Sequence, residues 1–359
     1  MWLEVAGRAR MLFRLKQKLG AIGYDLPRFA WCLPRDWVRI RNRSETLDMA
    51  PDGTGAQCRW KWTSELHIAK VFASMGRRLL QRALHDWPIR LAEAQVDTGG
   101  EVQVSFVIGH RGLVRLPHLL ATLGSIAAQK GAACECIVVE QSAIPEIQSS
   151  LPSWVRYVHT PLPQSDVPYC RSWTLNVGAR LARGALLVFH DNDMLVPECY
   201  AAELWRRFKE GYEVINAKRF VFYLEEVETK RFFETAVLPP DASSEAVVQN
   251  LEAGGSVAMA KDAFFAIGGY DESFVGWGGE DNEFWERAHT RKLWSFGYLP
   301  IVHLWHTAQP RKTDPDNPTL RHYARLSSTA IEDRIAELNK RSFGQTERLS
   351  VNWPSPQAH

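Results

Sequence analysis

Between Val102 and Phe189 short apolar runs alternate with segments of helical period, and this alternation restricts the fold more than any other feature of the chain. Residues 102–108, 136–139, 155–158 and 185–189 read as buried strands, and residues 116–128 and 172–182 read as helices between them. Strands that alternate with helices predict an α/β chain with a mostly parallel sheet and helices on both faces. Ligands of such sheets bind beyond the carboxyl ends of the strands. Those ends carry His110-Arg111, Glu140-Gln141 and His190-Asp191-Asn192-Asp193, so three polar strand tips point to one site.

A chain of 359 residues exceeds one ordinary domain, and three regions are expected. Residues 1–100 form a mainly helical, partly irregular accessory region, 101–310 the catalytic α/β domain, and 311–359 a helical tail. In the front region Leu66, Ala69, Phe72, Ala73, Gly76, Leu79, Leu80 and Ala83 predict one helix, with Ser64 as its cap and Pro88 as its stop. The turn-prone Asp97-Thr98-Gly99-Gly100 marks the boundary, and the tail predicts one helix over 320–340.

Composition excludes several classes. With 43 basic against 41 acidic side chains the net charge is +2, which gives no global field for nucleic acid. The six cysteines show no CxxC pair or zinc-ligand spacing and read as reduced and buried. No stretch approaches the roughly 20 apolar residues that span a bilayer. The start, with Arg8, Arg10, Arg14, Lys16 and Lys18 among apolar residues, lacks the features of a secretory signal. It reads as a basic surface helix or as an interfacial helix in peripheral contact with anionic lipid. A cytoplasmic location, peripheral at the inner membrane face, is the expectation.

Asp191 and Asp193 follow five apolar residues and His190. Ionised carboxylates there need a cation or a donor. A hard divalent ion that bridges phosphates meets that need, and so does a turn in which Asp and Asn bond their own backbone. His303 and His306, three apart after an apolar run, offer nitrogen ligands to the same ion or serve as structural histidines. Gly276-Trp277-Gly278-Gly279-Glu280-Asp281-Asn282-Glu283 joins a flexible stretch to an acid-rich helix start. The dipole favours acids there. Helix capping does not account for Trp277 among glycines, whereas an aromatic plate for a sugar ring does.

Gly276 to Asp281, preceded by Gly268-Gly269-Tyr270-Asp271-Glu272-Ser273-Phe274, resembles the C-terminal signature of β-1,4-galactosyltransferases and of chondroitin-polymerase-type family 2 glycosyltransferases. Arg111, Val139-Glu140-Gln141, Asn176-Val177-Gly178 and Asp191-Asn192-Asp193 match in the same order, so the resemblance covers roughly residues 102–310. It implies a GT-A, Rossmann-like fold that binds a UDP-sugar. Asp193 and His306 would ligate Mn²⁺ (or Mg²⁺), with His303 as a third ligand where galactosyltransferases often have methionine. Asp191 would sit near the donor ribose or a metal-bound water. His110, Arg111, Glu140 and Asn176 would belong to the nucleotide-sugar pocket, with Trp277, Gly278 and Gly279 in a closing loop that meets donor and acceptor. Asp281 would be the general base and Glu280 would orient the acceptor.

The resemblance therefore implies an inverting transfer of a hexose or N-acetylhexosamine, galactose or N-acetylgalactosamine favoured, to a glycan or lipid-linked glycan hydroxyl. Gly109 replaces the usual strand-end proline, and Asn282-Glu283 stand where further aspartates are common. A retaining polypeptide N-acetylgalactosaminyltransferase shares a Trp-Gly-Gly-Glu signature but carries Asn after the Glu. A non-catalytic carbohydrate-binding relic would not need Asp193, Asp281 and His306 intact. A nucleotidyltransferase would want a glycine-rich basic loop after the first strand, which residues 109–113 match thinly.

Overall fold

A computed structural model defines residues 15–60, 63–96, 100–162, 167–239, 241–307 and 316–347. The basic start before Leu15, the turn over 97–99 and the chain ending over 352–356 lie outside the described residues. The chain divides into two compact units. One takes Met1–Ile89, Ala217–Leu251 and Ser295–Trp305; the other takes Arg90–Asn216, Glu252–Trp294 and His306–His359.

The larger unit is built on a sheet of β1 (Val104–His110), β2 (Cys134–Ser142), β3 (Arg156–Pro161), β4 (Leu186–His190), β5 (Val214–Ile215), β6 (Ser256–Ala260) and β7 (Leu293–Trp294). Its spatial order is β7-β5-β6-β4-β1-β2-β3. β1 runs parallel to both β2 and β4, and β2 runs parallel to β3. β6 lies antiparallel between β4 and β5, an inversion that the sequence pattern does not announce. Strands covered on both faces read as continuous apolar runs, and every residue of β2 and β4 is buried. This is the expected α/β, mostly parallel architecture. The chain moves from β1 to β2 and β3 on one side and places β4 on the other. The carboxyl ends of β1 and β4 therefore flank a topological switch point.

The helices of this unit are α1 (Leu116–Ala127), α2 (Arg171–Leu181), α3 (Tyr200–Lys209), α4 (Lys261–Ala266), α5 (Glu280–Ala288), α6 (Pro318–Leu326) and α7 (Ile331–Asn339). The core gathers Val107, Ile137, Trp173, Phe189, Phe264, Tyr270 and Phe284, with the rings of Tyr270 and Phe284 stacked at 4.0 Å. Gly178 lets α2 lie close on β1, since a Cβ there would come 2.3 Å from Val107 Cγ1. The single tail helix expected over 320–340 is two helices. Ser327 and Ser328 turn their hydroxyls back onto the carbonyls of Ala324 and Arg325, which competes with helix continuation.

The other unit pairs Ser64–Glu65 with Ser244–Gln249, Ser244–Gln249 with Lys218–Leu224, and Lys218–Leu224 with Leu299–His303. The one helix expected from Leu66 to Ala83 is also two, His67–Val71 and Ala73–Asp86, because Phe72 adopts an extended conformation. Ser64 lies in a strand and caps neither helix. Arg219 organises the interior by donating to the carbonyls of Val38 and Ile40 and to Gln249 Oε1, and burial lowers its pKa to about 10. Residues expected to form the accessory region thus share a unit with two later segments. No helix among the described residues is long and apolar enough to cross a membrane.

Candidate active site

The polar tips of β1 and β4 meet at the switch point. Asn192 Nδ2 lies 2.8 Å from His110 Nδ1, and His110 Nε2 lies 2.8 Å from the Gly112 carbonyl. A carbonyl partner requires N–H at Nε2, which leaves Nδ1 to accept from the amide. Burial lowers the pKa of His110 and favours this neutral form. His110 is a strut between strand tips. The Asp191 amide donates to the Gly255 carbonyl at 2.8 Å, which ties the aspartate loop to the start of β6.

Two guanidinium groups organise the carboxylates. Arg171, the first residue of α2, donates through Nη2 to Asp191 Oδ1 at 2.6 Å and through Nη1 to Asp281 Oδ1 at 2.7 Å. It joins the end of β4 to the start of α5. Arg115, at the N-terminal boundary of α1, donates through Nη1 to Asp193 Oδ2 at 2.6 Å, and its Nη2 lies 2.8 Å from His306 Nδ1. His306 Nε2 in turn lies 3.3 Å from Asp193 Oδ2. Asp193 is 6% exposed, so its charge is largely removed from water and requires such a partner.

The glycine loop is shaped by backbone demands. Gly276, Gly278 and Gly279 have φ values of 106°, 100° and 91°, a region that side chains disfavour. Trp277 between them stays 38% exposed. Its carbonyl accepts from Asn317 Nδ2 at 3.0 Å and from the Thr319 hydroxyl. The loop is therefore anchored by the start of α6. Asp281 Oδ2 lies against Gly254, where a Cβ would approach it to 2.7 Å. Glu280 is buried beside it, and Oε2 has no hydrogen-bond partner among the described residues. Burial first, and then the neighbouring Asp281 charge, raise the Glu280 pKa to about 7.

The remaining expected residues make other contacts within their own units. Glu140 accepts from the Glu146 and Ile147 amides, from Ser142 Oγ at 3.0 Å and from the Tyr157 hydroxyl at 2.6 Å. Asn176 bonds the backbone of Tyr270 through both amide atoms and Glu272 Oε1 at 3.0 Å, which fastens α2 to the Gly268–Phe274 segment. Arg111 Nη1 donates to the Val167 carbonyl at 2.6 Å. His303 ends its strand in the smaller unit, with its ring stacked 4.4 Å from that of Tyr223.

Sequence reading missed Arg115, Arg171, Asn317 and Thr319. A signal existed for the two arginines. Each stands at a helix N-terminus, where the dipole disfavours positive charge, and such a placement asks for an anionic partner.

The donor set at Asp193 and His306 fits a divalent ion. Two ligand atoms bound at about 2.1 Å lie roughly 3 Å apart on adjacent vertices, close to the 3.3 Å between Oδ2 and Nε2.

A mostly parallel α/β sheet with acidic residues at its switch point is consistent with a Rossmann-like, GT-A type of fold. Residues 249–303 match the family described as the N-terminal domain of galactosyltransferase. That stretch contains Gly254, the Trp277 loop, Glu280, Asp281 and His303, and the match supports a galactosyltransferase-like glycosyltransferase. No curated protein matches the chain.

Proposed function

We propose that the protein is an inverting glycosyltransferase. It would move a hexose or N-acetylhexosamine, galactose or N-acetylgalactosamine favoured, from a UDP-sugar to a hydroxyl of a glycan or lipid-linked glycan. One observation carries the reading: a single guanidinium, Arg171, holds both Asp191 at the strand end and Asp281 at the helix start. Acids about ninety positions apart in sequence share one cation, as expected where donor and acceptor meet.

Asp281 takes the proton of the acceptor hydroxyl as that oxygen attacks the anomeric carbon from the face opposite the leaving diphosphate. The displacement is a single step through an oxocarbenium-like state and inverts the configuration. Glu280, with its pKa near neutrality, supplies a protonated carboxyl that can donate to an acceptor oxygen. Trp277 offers its ring face to a sugar, and the glycines beside it permit a change of loop conformation that excludes water. Asp193 and His306 would hold Mn²⁺ or Mg²⁺. The ion's chemistry is neutralisation of charge on the departing diphosphate.

The test is release of UDP from a panel of UDP-sugars with Mn²⁺, with a glycan acceptor, in the wild type and Asp281→Asn. Comparable turnover in both proteins removes the base assignment. NMR of the anomeric proton in the first product formed distinguishes inversion from retention, and a retained configuration overturns the single displacement.

A further inference from the structure

The geometry points to Arg115 as a resident counter-cation of the Asp193–His306 site, one that a divalent metal displaces efficiently only when a diphosphate is present to receive the guanidinium. The inference rests on the proposed metal role of Asp193 and His306.

The three side chains close a triangle. Arg115 Nη1 is 2.6 Å from Asp193 Oδ2, Arg115 Nη2 is 2.8 Å from His306 Nδ1, and His306 Nε2 is 3.3 Å from the same Asp193 oxygen. The guanidinium therefore engages the carboxylate oxygen that a metal would use. A divalent ion and a guanidinium cannot both bind one oxygen of one carboxylate without strong like-charge repulsion. Metal entry means that Arg115 must leave.

Departure has a cost set by its surroundings. Arg115 stands at the start of α1, where the helix dipole is positive, and it depends on Asp193 for compensation. Once displaced it needs another anion. The best available one is the diphosphate that the metal itself engages, because a guanidinium forks onto phosphate oxygens with two parallel hydrogen bonds. The side chain retains 16% exposure, so the guanidinium is not sealed against the carboxylate and can turn toward solvent. Metal and nucleotide then bind cooperatively, and by linkage each tightens the other by the same factor. Such coupling would keep the bare acidic site from filling with whatever cation is abundant, and would assemble the charged centre only around a donor.

The experiment is a titration of the full chain with Mn²⁺, with free Mn²⁺ read by electron paramagnetic resonance, with and without UDP. Wild type should bind Mn²⁺ weakly alone and at least about tenfold more tightly with UDP. Arg115→Gln should bind Mn²⁺ alone about tenfold more tightly than wild type, and UDP should add little. Arg115→Lys keeps the charge and loses the fork, so most of the gating should persist. Circular dichroism confirms that each variant is folded. Unchanged Mn²⁺ affinity in Arg115→Gln overturns the gate while the metal reading stands. Absence of Mn²⁺ binding in every protein, with UDP or without, overturns the metal reading and the gate together.

Discussion

Asp281 and Glu283 stand two positions apart at the start of α5, yet their surroundings differ sharply. Asp281 faces Arg171, shares that cation with Asp191, and keeps 28% of its side chain exposed. Glu283 is 1% exposed and is enclosed between Arg287 and Arg334. Arg287 meets both of its carboxylate oxygens, at 2.6 and 2.7 Å, and spends its remaining nitrogen on the carbonyls of Ile267 and Gly269. A carboxylate so completely satisfied serves to fix α5 against the turn that precedes the glycine loop. One that shares a cation at the edge of solvent can exchange partners when substrate arrives. The acid-rich helix start divides into a packed face and a face at the edge of solvent, to which the proposed chemistry belongs.

The largest expected effect separates those faces. Asp281→Asn should lower kcat by about 10³-fold, the range for a lost general base, with only a small shift of the thermal melting curve because Asp191 still compensates Arg171. UDP release and circular dichroism measure the two quantities. Glu283→Gln should do the reverse. It leaves the buried Arg287 without its carboxylate partner and should cost about 3 kcal/mol of stability in a urea unfolding series. Turnover per folded molecule should change far less than in Asp281→Asn. If either substitution moved both readouts equally, the division between faces would be wrong.

Glu280 sharpens the comparison through pH. Its pKa is raised from the ordinary carboxyl value to about 7 in the folded chain, so the folded state holds the proton more tightly than the unfolded state. Its protonated form adds nothing to pH dependence below the unfolded pKa, near 4.5. Stability then falls as pH rises between 4.5 and about 7, and the fall ends once the group is ionised in both states. Melting temperatures from pH 4 to 8 should show this decline, and Glu280→Gln should flatten it. The smallest effect belongs to the loop anchor. Thr319→Val removes one donor from the Trp277 carbonyl, worth about 1 kcal/mol, and should speed hydrogen exchange at the amides of residues 276–279.

The strands of the large sheet were legible because burial on both faces leaves an unbroken apolar run, and β1, β2 and β4 lie where those runs stand. The residues in direct contact around Arg171 and Arg115 were half legible. The acids announced themselves by following a buried strand or opening a helix. The arginines did not, because each is meaningful only through a partner between 20 and 191 positions away. Helix continuity failed at Phe72 and at Ser327-Ser328, where local backbone preference overrode an apolar period that runs straight through. The tail read as polar surface. Its contribution to the Trp277 loop rests on Asn317 and Thr319, which look like an ordinary helix cap in sequence.

The smaller unit is assembled from three stretches of chain, and its two-residue strand at Ser64–Glu65 finds its neighbour only in Ser244–Gln249. During synthesis the segment ending at Ile89 must wait for roughly two hundred further residues before its last partner stretch, Ser295–Trp305, emerges. At translation speeds of up to about 20 residues per second this is a delay of ten seconds or more. Trp37, Phe29 and Leu66, buried once the unit closes, spend that interval without their final neighbours. Expression of residues 90–359 alone would leave 217–251 and 295–305 stranded without the partners that complete their sheet.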